Sequence, residues 1–163
     1  MPNENKEIER KFLVNAPMWH KSLLKKQAHR ISIKQGYLTS NAHPTVRVRI
    51  KGNKGFITIK GKSSGLVRSE FEYEIPQEDA QSMLDEFCPT HISKIRHTFE
   101  FKGYLWEIDE FCGDQSPLIV AEVELQDPTV HPPQPPFIMK EVSDDFRYAN
   151  SYLSQNPYNT WST

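Results

Sequence analysis

The segment Thr45–Lys51, "TVRVRIK", places Arg47, Arg49 and Lys51 at every second position, with Val46, Val48 and Ile50 between them. An extended strand separates two such sets, because successive side chains point to opposite faces. The segment therefore reads as a strand with one apolar face and one face of continuous positive charge.

The same alternation recurs on both sides of it. Upstream, "EIERKFLV" from Glu7 aligns Glu7, Glu9 and Lys11. Downstream, "GFITIKG" aligns Thr58 and Lys60 against Ile57 and Ile59, and "VRSEFEYEI" aligns Arg68, Glu70, Glu72 and Glu74 against Val67, Phe71, Tyr73 and Ile75. "ISKIRHTFEFK" aligns Lys94, Arg96, Thr98 and Glu100; "LWEIDEF" pairs Glu107 with Asp109, and "VAEVEL" pairs Glu122 with Glu124. Gly, Pro, Asn and Ser punctuate these segments, which predicts antiparallel strands near 5–14, 30–39, 44–51, 55–61, 66–75, 91–102, 104–111 and 117–126. Helical spacing is confined to three places. One helix runs from Pro17 through "MWHKSLLKKQ", a second follows Pro76 in "QEDAQSMLDEF", and a terminal helix near 142–155 packs back through Phe146, Tyr148 or Leu153. "HPPQPP" reads as an extended connector. The fold class is α+β, mainly β.

The charged faces decide the architecture. Carboxylates two positions apart on a strand lie roughly 7 Å apart, and at an effective dielectric near 20 they repel by about 2 kcal/mol. An open sheet would repeat that cost on every acidic strand. Closing the sheet brings basic strands opposite acidic ones and compensates both, so the expectation is a closed eight-stranded antiparallel barrel with a polar, charged lumen and helices packed outside. Such a lumen excludes an apolar cargo. Carboxylates without clustered His or Cys suit a hard cation such as Mg2+ or Mn2+, and Arg with Lys suit phosphate oxygens. Together they describe a metal-assisted phosphate site.

With 163 residues, a formal charge of −1 and 25% charged residues, the chain is expected to form one domain over 1–163 and lacks the net field of a nucleic-acid binder. No apolar run approaches the roughly 20 residues that span a bilayer, and the charged "MPNENKEIERK" is no signal peptide, so a cytoplasmic location without membrane partners is expected. Cys88 and Cys112 stand apart and read as ordinary thiols. "GKSS" at 61–64 is not a phosphate-binding P-loop, since the required first glycine falls on Phe56 and no helix pattern follows.

The motif "EIERK", followed in order by "QGYL", "VRVRIKG", "TIKG", "RSEFEYEI", "KIRHTFEFKGYLWEIDEF", "AEVEL" and "EVSDDFRYANSYL", resembles the CYTH superfamily of triphosphate tunnel metalloenzymes over nearly the whole chain. The resemblance implies a tunnel that binds triphosphate with one or two divalent cations, as a monomer or homodimer. Carried over by motif, Glu7, Glu9, Glu122 and Glu124 would form the metal cluster, with Asp109 assisting a second metal or orienting water. Arg47, Arg49, Lys60 and Arg96 would hold triphosphate oxygens, and Arg68 with Glu70 and Glu72 would tune neighbouring ions or touch substrate directly. Lys11, Tyr37 and Lys94 would surround the scissile phosphate, Tyr37 holding Lys11, with water activated by a second cation or by Lys94. The expected activity is hydrolysis of inorganic triphosphate to diphosphate and phosphate. A class IV-type adenylate cyclase, a thiamine or nucleoside triphosphatase, and a non-catalytic polyphosphate or nucleotide binder are the alternatives. "PPFIMKEV" departs from the family pattern and leaves the packing of the C-terminal segment open.

Overall fold

The computed structural model describes residues 5–39 and 43–162. Eight antiparallel strands form the barrel: β1 (Lys6–Val14), β2 (His29–Tyr37), β3 (Thr45–Lys51), β4 (Lys54–Lys60), β5 (Val67–Ile75), β6 (Ile92–Phe101), β7 (Tyr104–Phe111) and β8 (Ile119–Glu124). They run in the order β5-β4-β3-β2-β6-β7-β8-β1. Closure comes from β1 against β5, where Lys6, Glu7 and Ile8 oppose Ser69, Arg68 and Val67. Seven of these strands turn their charged face inward and their apolar face out, as the charge argument requires; β2 instead turns Ile33, Gln35 and Tyr37 inward and carries Arg30 and Lys34 on its outer face.

That closure is short. Beyond Ile8 the same edge of β1 is taken by a ninth strand, β9 (Ile138–Glu141), which opposes Phe12 and Val14. The segment after it continues the contact: Val142 N–H donates to the Lys11 carbonyl, and Lys11 N–H donates to Ser143 Oγ. Arg10 fastens this join through Glu141 at 2.8 Å and the carbonyls of Val130 and Pro128. The sequence pattern did not predict β9, because four residues with partly exposed side chains carry no clear alternation.

The helices cover the outer faces. The predicted first helix is two, α1 (Ala16–Lys21) and α2 (Leu23–Gln27), divided at Ser22. Ser22 is extended, gives its N–H to the Trp19 carbonyl and accepts from Leu24 N–H through Oγ, so it ends one helix and caps the next. Trp19 is buried against Phe99 and Phe137, in a core with Phe12, Trp106 and Ile108. Helix α3 (Gln77–Phe87) has Glu78 and Asp79 in its first turn and sets Ala80 and Leu84 on Val48 and Ile50. It lies so close to the sheet that a Cβ on Gly36 would stand 2.7 Å from Cys88 Cβ, and one on Gly55 2.8 Å from Ala80 Cβ.

The terminal helix is much shorter than the expected 142–155. A 3-10 turn at Phe146–Tyr148 precedes α4 (Asn150–Leu153), with Ala149 extended between them. Leu153 packs with Ile92, Phe111, Leu118 and Val120, joined by Leu13, Tyr148, Tyr158 and Trp161. Leu13, Ile92, Phe111 and Val120 lie two positions from Lys11, Lys94, Asp109 and Glu122 on the inward faces of their strands. One end of the lumen is thus filled with apolar side chains, and the C-terminal segment completes the filling. No helix among the described residues is long and apolar enough to cross a membrane.

Candidate active site

A cavity of about 210 Å³ occupies the lumen, and every residue expected at the site lines it except Asp109. The basic wall comes from β3, β4, β5 and β6. Arg47 and Arg49 each place Nη2 on Glu72, at 3.4 and 3.1 Å, while Thr58 Oγ1 accepts from Arg47 and donates to Glu72 at 2.9 Å. Lys60 bridges Glu7 at 3.0 Å and Glu70 at 3.1 Å, and Arg68 donates to Glu7 at 2.8 Å. Burial resists ionisation of Glu7, but Lys60 and Arg68 outweigh it and hold the carboxyl far below its usual range. Burial and then the adjacent Arg47 lower Arg49 to about 10. The Nε groups of Arg47 and Arg49 are buried without a hydrogen-bond partner. Two such donors on neighbouring positions of one face suit a polyvalent oxyanion.

The acidic wall comes from β1 and β8, where Glu9 opposes Glu124 and Lys11 opposes Glu122. Lys11 Nζ stands 3.4 Å from Glu9 and 3.5 Å from Glu122. Burial, and then the charge of Glu122, push Glu9 up to about 7. Glu122 goes the other way, its burial outweighed by Lys11 and Arg96. Burial also raises Glu124. As placed, no three His, Cys, Asp or Glu residues among those described are grouped to hold a metal ion. The donor chemistry nevertheless fits one: Glu9, Glu122 and Glu124 line the same cavity and offer only hard oxygens.

Asp109 departs from its expected place. It is fully buried and takes Arg96 Nε at 2.7 Å, Arg96 Nη2 at 2.8 Å and Lys94 Nζ at 2.7 Å. Its oxygens serve two cations behind the wall, and it does not line the cavity. Tyr37 also differs from expectation: its hydroxyl accepts from Gln35 Nε2 at 3.2 Å, whereas Lys11 is held by the two glutamates. Lys94 is buried, and that burial brings it down to about 8 against the opposing pull of Asp109. Its ammonium also donates to Asn150 Oδ1 at 3.0 Å.

Several lining residues were not among the expected site residues. Glu107 contacts Arg96, and Lys51, Thr45 and Leu105 also face the cavity. Glu107 shares the alternating face of Asp109 and could have been found from it. Asn150, with Ala149 and Ser151, enters from outside the strands, where alternation carries no signal.

Comparison with known proteins finds relatives along nearly the whole chain. The inorganic triphosphatase of Acetivibrio thermocellus is 44% identical over 154 residues, 94% of this chain and 96% of that protein. That of Nitrosomonas europaea is 33% identical over 152 residues, 91% and 96%. The crystal structure of an inorganic triphosphatase superposes with a TM-score of 0.64 at 31% identity, covering 91% of this chain and 93% of that one. A Hippeastrum protein with a dominant triphosphatase activity reaches 0.58 at 19% identity over 75% and 80%, a likeness of fold alone. The CYTH domain model matches residues 5–151, and with that span and these relatives the chain belongs to the CYTH domain family.

Proposed function

We propose that this protein hydrolyses inorganic triphosphate to diphosphate and phosphate. The observation that carries the reading is the paired wall of one lumen: buried arginines with unpartnered Nε–H groups on one side and a set of carboxylate oxygens on the other. A triphosphate would suit the first and a divalent cation the second. Triphosphatase is also the activity named for the relatives at 44% and 33% identity.

Arg47, Arg49, Lys60 and Arg96 take the phosphate oxygens and fix the chain of phosphorus atoms, which is the main demand of phosphoryl transfer. Arg68 holds Glu7, and Lys11 lies between Glu9 and Glu122 beside the bound chain. Glu9, Glu122 and Glu124, with Glu7, would hold one or two Mg2+ or Mn2+ ions, which supply neutralisation of charge on the departing oxygens. Lys94, lowered to about 8, is able to take the proton of the attacking water at Nζ. The water oxygen bonds to a terminal phosphorus, the bridging P–O bond breaks, and its electron pair leaves with diphosphate. Tyr37, its oxygen engaged by Gln35, keeps its hydroxyl proton for a phosphate oxygen.

The test is incubation with inorganic triphosphate, diphosphate, ATP and thiamine triphosphate, under Mg2+ and then Mn2+, with every product identified. Phosphate plus diphosphate from triphosphate is expected. Tight triphosphate binding without phosphate release would make the protein a binder, and cyclic AMP plus diphosphate from ATP would make it a cyclase.

A further inference from the structure

Lys94 is held from two directions. Its ammonium carries three N–H donors; Asp109 Oδ2 takes one at 2.7 Å and Asn150 Oδ1 takes another at 3.0 Å. The third position on Nζ is left for the cavity that Lys94 and Asn150 both line. With two N–H groups held by these acceptors, it is there that the neutral amine presents the lone pair that takes water's proton. A lysine nitrogen rides on a flexible four-carbon stem, and two fixed acceptors remove that freedom. The Phe111 ring, 5.4 Å from Nζ, closes the apolar side.

Asn150 is itself held in place. Helix α4 has four residues, too few to define a position unaided. Gln115, buried in the connection between β7 and β8, donates through Nε2 to the Leu153 carbonyl at 2.7 Å and accepts through Oε1 from Tyr158 N–H at 2.9 Å. Leu153 is fully buried beside Phe111. The C-terminal segment is therefore clamped to the turn that follows β7, the strand that carries Asp109. The two acceptors around Lys94 are set by one rigid unit.

We propose that Asn150 is a positioning residue for Lys94, which makes the C-terminal segment part of the reaction centre. This rests on the triphosphatase reading and goes beyond it. Asn150 has no contact with Arg47, Arg49 or Lys60 among its hydrogen bonds, so its loss acts on turnover and spares substrate affinity.

The experiment is steady-state hydrolysis of inorganic triphosphate by the wild type, N150A and N150D, with thermal unfolding of each. For N150A we expect kcat to fall about tenfold to a hundredfold, the loss of one hydrogen bond to a charged group, with KM within about threefold. N150D restores an acceptor at the same reach, but its carboxylate also favours the Lys94 ammonium, so the pH profile of kcat moves upward and kcat returns to within about fivefold of the wild type only on the alkaline side. If N150A does not fold, N150S, whose hydroxyl is too short to reach Nζ, takes its place against N150D. A normal kcat in N150A, a loss carried by KM, or a loss in N150D equal to that of N150A at every pH each overturns the inference. A wild type that releases no phosphate overturns the triphosphatase reading itself, which separates the two failures.

Discussion

Burial and the neighbouring Glu122 raise the Glu9 carboxyl to about 7, against an ordinary value of 4.5. A group whose folded pKa is raised favours the fold below its unfolded value, and that advantage is lost as pH climbs through the folded value. Ionised Glu9 therefore costs the ligand-free protein stability, of order 2–3 kcal/mol once pH exceeds about 7. Glu9→Gln should accordingly be more thermostable than the wild type at pH 8 and indistinguishable from it near pH 4.5, while losing triphosphatase activity at both. Equal melting shifts at the two pH values would refute the assignment. At this scale most of the lumen was legible, since one alternating pattern exposes Glu7, Arg49 and Lys60 alike. Asp109 obeys the same pattern and still lies behind the wall, because alternation gives a face and not the depth at which a short side chain stops.

Elements were legible where a periodic pattern was long. Helix α3 matches its expected span because eleven residues carry acids at the start and Ala80 and Leu84 at helical spacing. The break at Ser22 was hidden, since a serine that caps one helix can also sit inside another, and β9 was hidden by its length. The "QGYL" stretch has a purely structural side as well. Gly36 is where α3 meets β2, and a methyl group there would collide with Cys88 Cβ at 2.7 Å, Cys88 Sγ at 2.8 Å and Leu84 Cδ2 at 3.0 Å. Gly36→Ala should lower stability by about 1–3 kcal/mol through forced displacement of α3. Catalytic constants measured well below the melting temperature should stay within about threefold of wild type. A variant that melts like the wild type would show that α3 yields at no cost.

Across the whole molecule, closure followed from charge balance, but register did not. Nothing in the sequence says that Glu9 opposes Glu124 or that Arg96 opposes Asp109. The balance has a measurable consequence for binding. Triphosphate alone adds negative charge to a lumen whose acids are already crowded, and a divalent cation alone adds positive charge beside Lys11. Each should stabilise the protein weakly, whereas the metal–triphosphate complex at about a hundredfold over its dissociation constant should add about 2.7 kcal/mol. Thermal shifts with each component and with the pair would decide it, and simple additivity would contradict a shared site.

The divided edge of β1 also sets an order of events. This strand pairs with β5, β8 and β9, each distant in sequence, while β3 and β4 meet across a tight turn. Local pairings form sooner than those that close long loops. During synthesis, β1 can meet β5 midway along the chain but must wait for β8 and β9 before both its edges are filled. In pulse-labelled hydrogen exchange, amides of the β3–β4 hairpin should gain protection before that of Lys11. The nascent chain would then join Arg47 and Arg49 to Glu72, and Arg96 to Asp109, within its local hairpins, and only the late arrival of β8 and β9 would bring Glu9 and Lys11 opposite Glu124 and Glu122 and close the lumen.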